Sequence, residues 1–407
     1  MNQNVAEAPR AYGGLPLALG LTTTVQGLAT LIVLALATLA PIAAPSLGVG
    51  PEAVGYQISV IYTSGALVSA FAGTLVHRFG GCAISQAAMV LGAVGCLGMA
   101  SGSLPMVALA SVLIGISYGM TNPAASQVLN RVTPAGRQGI VFSLKQTGVP
   151  LGGVVAGLSL PVLALLVGWQ MAVCVVGGCA LLLALCMIPL RSRWDFDRDR
   201  SVRIAASLVS GPVLVWSVPR LRVLALMGFC FSAVQLSLMS FLVTLLVEDA
   251  RWSLVAAGGA ASLVQSFGAG ARIGWGLLAD KIGNGIPVLI AIGVITVASS
   301  LVVSQLVPDW PDWLVLSVLS VFGIAAIGWN GVFIAEVVRS APAGKAGIAT
   351  GGTLTLTFAG VVLGPSLYAM IHGFFDSYAA TFLALAVFPV IGVFLMLTQL
   401  RPQKLKI

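Results

Sequence analysis

The sequence predicts an all-α membrane protein of twelve transmembrane helices arranged as two six-helix halves. Three observations carry that prediction. Of 407 residues, 58% are hydrophobic and only 8% charged, with a mean hydropathy of +1.04, too few charges to clothe a surface in water. Apolar runs of about 20 residues, the length that crosses roughly 30 Å of hydrocarbon, recur twelve times between short polar or Pro/Gly breaks. One long hydrophilic stretch, Arg191 to Arg222, divides these runs six and six.

The elements follow in order. Span 1 (15–45) comes after a polar tail, MNQNVAEAPR, and is too long, without a clean small-residue cleavage site, for a removable secretory signal; it carries Gln26 within VQGL. Span 2 (53–76) runs into GTLVHRFGG, residues 73–81, and span 3 covers 83–101. Span 4 (105–130) holds Asn122, span 5 (139–167) is interrupted by Lys145, and span 6 (169–190) ends at the hydrophilic stretch. Beyond it, span 7 (222–247) holds Gln235 within VQLS, and span 8 (254–279) holds Arg272 and runs into GLLADKIGN. Spans 9 (286–307), 10 (313–338, with Asn330), 11 (347–371) and 12 (377–398) complete the set. The expected domains are an N-terminal bundle over 1–190, a cytoplasmic linker over 191–221 and a C-terminal bundle over 222–407.

With the amino terminus placed in the cytoplasm, the linker and the inner loops hold nearly all of the twenty basic residues, and outside there is only Arg251. The positive-inside rule therefore predicts cytoplasmic termini and a multi-pass location in the inner membrane. The net charge of +8 is an orientation signal, not a nucleic-acid surface. The six cysteines all fall inside apolar spans with no CxxC spacing, so neither a disulfide framework nor a metal site is indicated. No cofactor is expected; the expected partners are the lipid bilayer and a small-molecule substrate, and the expected state is a monomer.

The two halves also copy each other. GISYGMTNPAASQVLNRVTPAGRQGI (115–140) aligns without gaps on GIAAIGWNGVFIAEVVRSAPAGKAGI (323–348), a shift of 208 residues that matches Asn122 with Asn330 and Arg131 with Arg339. Gly276, Asp280, Lys281 and Gly283, with Gly73, Arg78, Gly80 and Gly81 as a first copy, resemble the loop motif of the major facilitator superfamily; His77 and Asn284 depart from it. The resemblance spans the whole chain and implies two parallel six-helix repeats that alternate access to a midplane site. It also implies a latch between helices on the cytoplasmic side. The expected latch in the second half is built from Asp280, with Glu336 or Arg339 nearby, in a charge network that includes Arg78, Arg131 and Lys281.

All twelve acidic residues avoid the middle of a span, and Glu336 comes closest. Carriers driven by protons often use an intramembrane carboxyl, so coupling to protons, if used, is expected to run through the substrate or Glu336. The embedded cations are the reverse case. A Lys or Arg at the bilayer centre costs about 2.5–3.5 kcal/mol on insertion scales and usually faces a wet cavity. Lys145 lies roughly 10 Å from the start of span 5 and Arg272 roughly 12 Å from the end of span 8, at 1.5 Å per residue. The resemblance places spans 5 and 8 as neighbours lining a central cavity, with these cations on facing walls. Two such charges about 10 Å apart repel by roughly 1.7 kcal/mol at an effective dielectric near 20; an anion between them removes that cost. Snorkelling to headgroups is the blander alternative.

ARIGWGLLADKIG (271–283) further resembles helix 8 of the monocarboxylate and oxalate/formate branches, where an arginine binds substrate carboxylate. The expected function is secondary active transport, as symporter or antiporter, of a small organic anion, bound by Lys145 and Arg272 with Asn122, Asn330, Gln26 and Gln235 as polar neighbours. The alternatives are export of drugs or metabolites and, further off, a sensor without transport. Gly115-Ile-Ser117-Tyr-Gly119 fits a hydrolase string, but it lies within a membrane span and lacks the strand–turn–helix setting, so no enzyme is expected.

Overall fold

The computed structural model describes residues 14–134, 138–196, 198–201, 210–342 and 346–399. Among them there is no strand. Eleven helices are long and apolar enough to cross a membrane, and the bent pair Pro51–Ser69 and Phe71–Phe79 makes a twelfth. The all-α, twelve-span expectation holds, with most boundaries within a few residues of the sequence reading.

In chain order, α1 is Gly14–Ser46, α2 Val54–Phe79, α3 Gly81–Ala100 and α4 Leu104–Val132. Span 5 is two helices, α5 (Gln138–Gln146) and α6 (Gly148–Val167), and span 6 is α7 (Trp169–Cys186), followed by the short α8 (Arg191–Trp194). Then come α9 (Ser210–Ser217), α10 (Pro219–Glu248), α11 (Leu254–Ile282) and α12 (Gly285–Val303). Span 10 is also divided, into α13 (Asp312–Ala326) and α14 (Asn330–Ser340). Span 11 is α15 (Ala346–Phe375), and span 12 comprises α16 (Tyr378–Leu385) and α17 (Val387–Leu397). The chain forms two compact units, one from Met1–Val49 and Val60–Ser207, the other from Gly50–Ser59 and Leu208–Ile407.

In the first unit small residues set the packing. A Cβ on Gly152 would overlap the Gly27 carbonyl, and one on Gly148 would come within 2.6 Å of the Thr23 carbonyl, so α1 and α6 touch backbone to backbone. Ser117, the serine of the hydrolase-like string, is buried and donates to the Ala88 carbonyl at 2.6 Å, a helix-packing role. Pro123 sits inside α4 without ending it. The carbonyl one turn back, at Gly119, accepts from Ser69 Oγ at 3.0 Å, in place of the N–H that proline lacks.

In the second unit Leu221, Leu224, Phe231, Leu289, Ile292, Trp329 and Phe333 belong to one apolar core. Cys82, Cys96 and Cys230 are buried and all six cysteines are free; no cluster with metal-ligand composition exists among the described residues.

Candidate functional site

In the first unit the buried polar groups gather around Gln26 of α1, which has no exposed surface. The close approach at Gly27 sets the end of α5 against it. The helix is interrupted at Thr147, and Lys145 occupies the last turn before the interruption. Only 2% of Lys145 is exposed. Its ammonium donates to Gln26 Oε1 at 2.8 Å and to Asn122 Oδ1 of α4. Thr121 Oγ1 donates to the same Gln26 oxygen at 3.1 Å. Gln26 Nε2 is buried without a hydrogen-bond partner. Lys145 is thus a buried positive charge held by two neutral amide oxygens, with an unused donor on the same glutamine, a combination open to an acceptor that carries negative charge.

The second unit repeats the plan with two changes. Gln235 Oε1 of α10 accepts from Trp329 Nε1 at 2.9 Å and from Asn330 Nδ2 at 3.2 Å. Under the 208-residue shift Thr121 matches Trp329 and Asn122 matches Asn330, so a donor at one equivalent position addresses the glutamine of the first span of each half. Lys145 has no such counterpart. Its match, Thr353, is buried and donates to its own helix at the Ala349 carbonyl, 3.0 Å away.

The second change is in span 10, which breaks between Ala326 and Asn330. A break frees carbonyls from their helical partners. Arg272 Nε donates to the Ile327 carbonyl at 3.1 Å and Trp275 Nε1 to the Ile324 carbonyl at 2.9 Å. Gly328 makes room for this, since a Cβ there would sit 2.8 Å from the Trp275 indole. Arg272 is half-buried, and the backbone contact, invisible in the sequence, fixes its stem. Trp329 is fully buried; it packs against Phe231 and Phe333 as well as donating to Gln235.

The charge network of the loops lies at the linker ends of the two units. In the first, Asp195 is 3% exposed and accepts from the Cys82 and Ala83 N–H groups at 2.8 and 2.9 Å, capping the start of α3. Burial pushes its carboxyl above the ordinary range, opposed by those two N–H groups and by Arg191 and Arg131. Arg131 donates to the Trp194 carbonyl at 2.8 Å, and the Asp199 N–H to the His77 carbonyl at 3.0 Å. Residues 191–196 and Asp199 therefore clasp the ends of α2, α3 and α4, with Trp194 fully buried beneath. Arg78 lies over the Phe79 ring.

In the second unit Glu336, not Asp280, is the centre, which corrects the expectation. Glu336 is 1% exposed, accepts from the Gly285 N–H at the start of α12 at 2.8 Å, and pairs with Arg220 at 3.2 Å and with Arg339. Asp280 and Lys281 are exposed in the last turn of α11. The reason is reach: Glu336 is on the packed face of α14, opposite the α12 terminus, whereas Asp280 points off that surface. Arg220 and Asp195 were missed because linker residues give no periodic signal, and Asp195 meets Cys82 across 113 positions of chain.

The chain matches the Major Facilitator Superfamily over residues 19–365. Two curated relatives from Mycobacterium tuberculosis, each described as an uncharacterized MFS-type transporter, are 24% and 23% identical over 297 residues, 72% of this chain. That match spans 64% of each relative's length. Among solved structures, a bacterial homolog of the human lysosomal transporter Spinster in an inward-facing, occupied conformation superposes with a TM-score of 0.73 at 15% identity, over 93% of this chain and 95% of that one. A mutant of the nucleoside transporter NupG gives 0.73 at 16% identity, over 95% and 100%. At such identity these structures share the fold.

Proposed function

The chain belongs to the Major Facilitator Superfamily, and from that membership we propose that it is a secondary active transporter of a small organic anion, a carboxylate, across the inner membrane. The observation that carries the anion reading is Lys145, buried to 2% exposure and bonded to the neutral oxygens of Gln26 and Asn122. A buried ammonium without a carboxylate partner is costly, and a bound anion relieves that cost. Arg272 is the corresponding embedded cation of the second unit, held by the Ile327 carbonyl. In the first unit Gln26 Nε2, buried without a partner, supplies an amide donor for an oxygen of the carboxylate. Alternating access by the two repeats carries the anion.

The test is uptake by proteoliposomes of a panel of labelled mono- and dicarboxylates, with amino acids and cationic dyes as contrasts. Lys145→Gln and Arg272→Gln should each lower carboxylate uptake at least a hundredfold while leaving folded yield intact. Normal transport by both variants, or selective binding of the dyes, would overturn the reading.

A further inference from the structure

A cavity of about 450 Å³ opens between α2 and α4 in the first unit, and His77, Ser126, Gln127, Asn130 and Arg131 are among its lining residues. None of those that line it is acidic. Asn122, Ser126 and Asn130 follow each other at four-residue intervals, so they form one stripe along α4. At 1.5 Å per residue the stripe is about 12 Å long. One end lies beside Arg131 and the cavity; the other is Asn122, whose amide oxygen holds the Lys145 ammonium. Asn122 and Asn130 are exposed, while Val128 on the opposite side of the helix is buried. Exposed amides and a hydroxyl at membrane depth are costly against lipid and stable against water.

Arg131 brings a positive charge to the rim, beside the buried Asp195 carboxyl. Arg131 is fixed by the Trp194 carbonyl and lies over the Phe196 ring, so the linker clasp holds its guanidinium in place. Cations lining a low-dielectric recess raise the local concentration of anions and their rate of entry.

We propose that this cavity is an anion antechamber: it gathers small carboxylates at Arg131 and passes them along the Asn130–Ser126–Asn122 stripe to Lys145. The hand-over to Lys145 rests on the function proposed above; the antechamber itself rests on the cavity, the stripe and the fixed arginine.

The experiment places a cysteine at Ser126 or Asn130 in the full chain, with the six native cysteines replaced, and measures labelling in detergent by two thiol reagents of similar size. One is anionic, 2-sulfonatoethyl methanethiosulfonate; the other is cationic, 2-(trimethylammonio)ethyl methanethiosulfonate. With each rate scaled to that of free cysteine, both positions should react, and the anionic reagent should be favoured about tenfold. Adding Arg131→Gln should bring the ratio to about one, whereas Arg131→Lys, which keeps the positive charge, should preserve it. No labelling at either position, or equal rates in the parent, overturns the antechamber. Lys145→Gln distinguishes the two readings: if transport survives it while the anionic preference remains, the substrate site is wrong and the antechamber stands.

Discussion

Lys145 remains folded inside the first unit because two amide oxygens and a close helix contact are already in place around it. Gly27 and Gly148 meet three residues beyond it, and its head meets Gln26 and Asn122. Gln26→Leu removes the 2.8 Å acceptor and also leaves Thr121 Oγ1 with only the Tyr118 carbonyl. Losing a hydrogen bond to a buried charge costs about 1.5–3 kcal/mol, so that variant should melt several degrees lower in a thermal scan in detergent. Asn122→Leu removes the other acceptor of the same ammonium and should also lower the melting temperature, by less than Gln26→Leu, because Asn122 is exposed and water can take the place of its amide. The charges and amides of the candidate site stand out in the sequence one residue at a time, since a lysine or an amide is conspicuous in an apolar run. Thr121 does not, because a threonine in a helix ordinarily bonds its own preceding turn.

At the scale of the helix, contacts between backbones and the capping of helix ends decide stability. Gly152→Leu would drive its side chain into the Gly27 carbonyl and part α1 from α6. Overpacking of this kind costs about 1–3 kcal/mol or more, and the cost should appear as a lower melting temperature and a loss of the Lys145–Gln26 contact. Gly178→Ala is the control, since nothing lies within 4 Å of its added Cβ. Glu336→Ala removes the acceptor for the Gly285 N–H and both arginine partners. Both arginines are more than a third exposed, so most of its expected loss of about 1–2 kcal/mol comes from the helix cap. A scan that finds Asp280→Ala equally damaging would contradict the placement of the latch. The span count and the repeat were legible in hydropathy and spacing. The break in span 10 was not: glycine is common in membrane helices, and only the Trp275 ring across from Gly328 shows why this one interrupts the helix.

The whole molecule is built from two units on one plan, locked by different charges. In the first the lock is Asp195, supplied by the linker; in the second it is Glu336, supplied by the span itself. The two should answer pH differently. Because burial raises the Asp195 carboxyl above its unfolded value of 3.8, the native clasp binds its proton more tightly. Its contribution to stability is then fully present below the unfolded value and is lost as pH rises through the folded one. Hydrogen exchange at residues 191–196, corrected for intrinsic rate, should slow as the pH falls from neutral into the mildly acid range. Asp195→Ala should abolish that slowing without altering exchange around Gly285. No feature of the linker composition signalled this clasp, whose partners in α2, α3 and α4 come from far earlier in the chain.

The Thr121 and Trp329 pair has a consequence for tracing the descent of this chain. The duplicated halves preserved a donor aimed at a glutamine while letting a small hydroxyl and a large indole exchange places. Residue identity at that column has decayed, whereas hydrogen-bond valence has not. A search for distant kin that scores what a side chain can donate or accept at the columns of Gln26, Thr121 and Lys145 should therefore separate carriers with this site from the many that share only its scaffold.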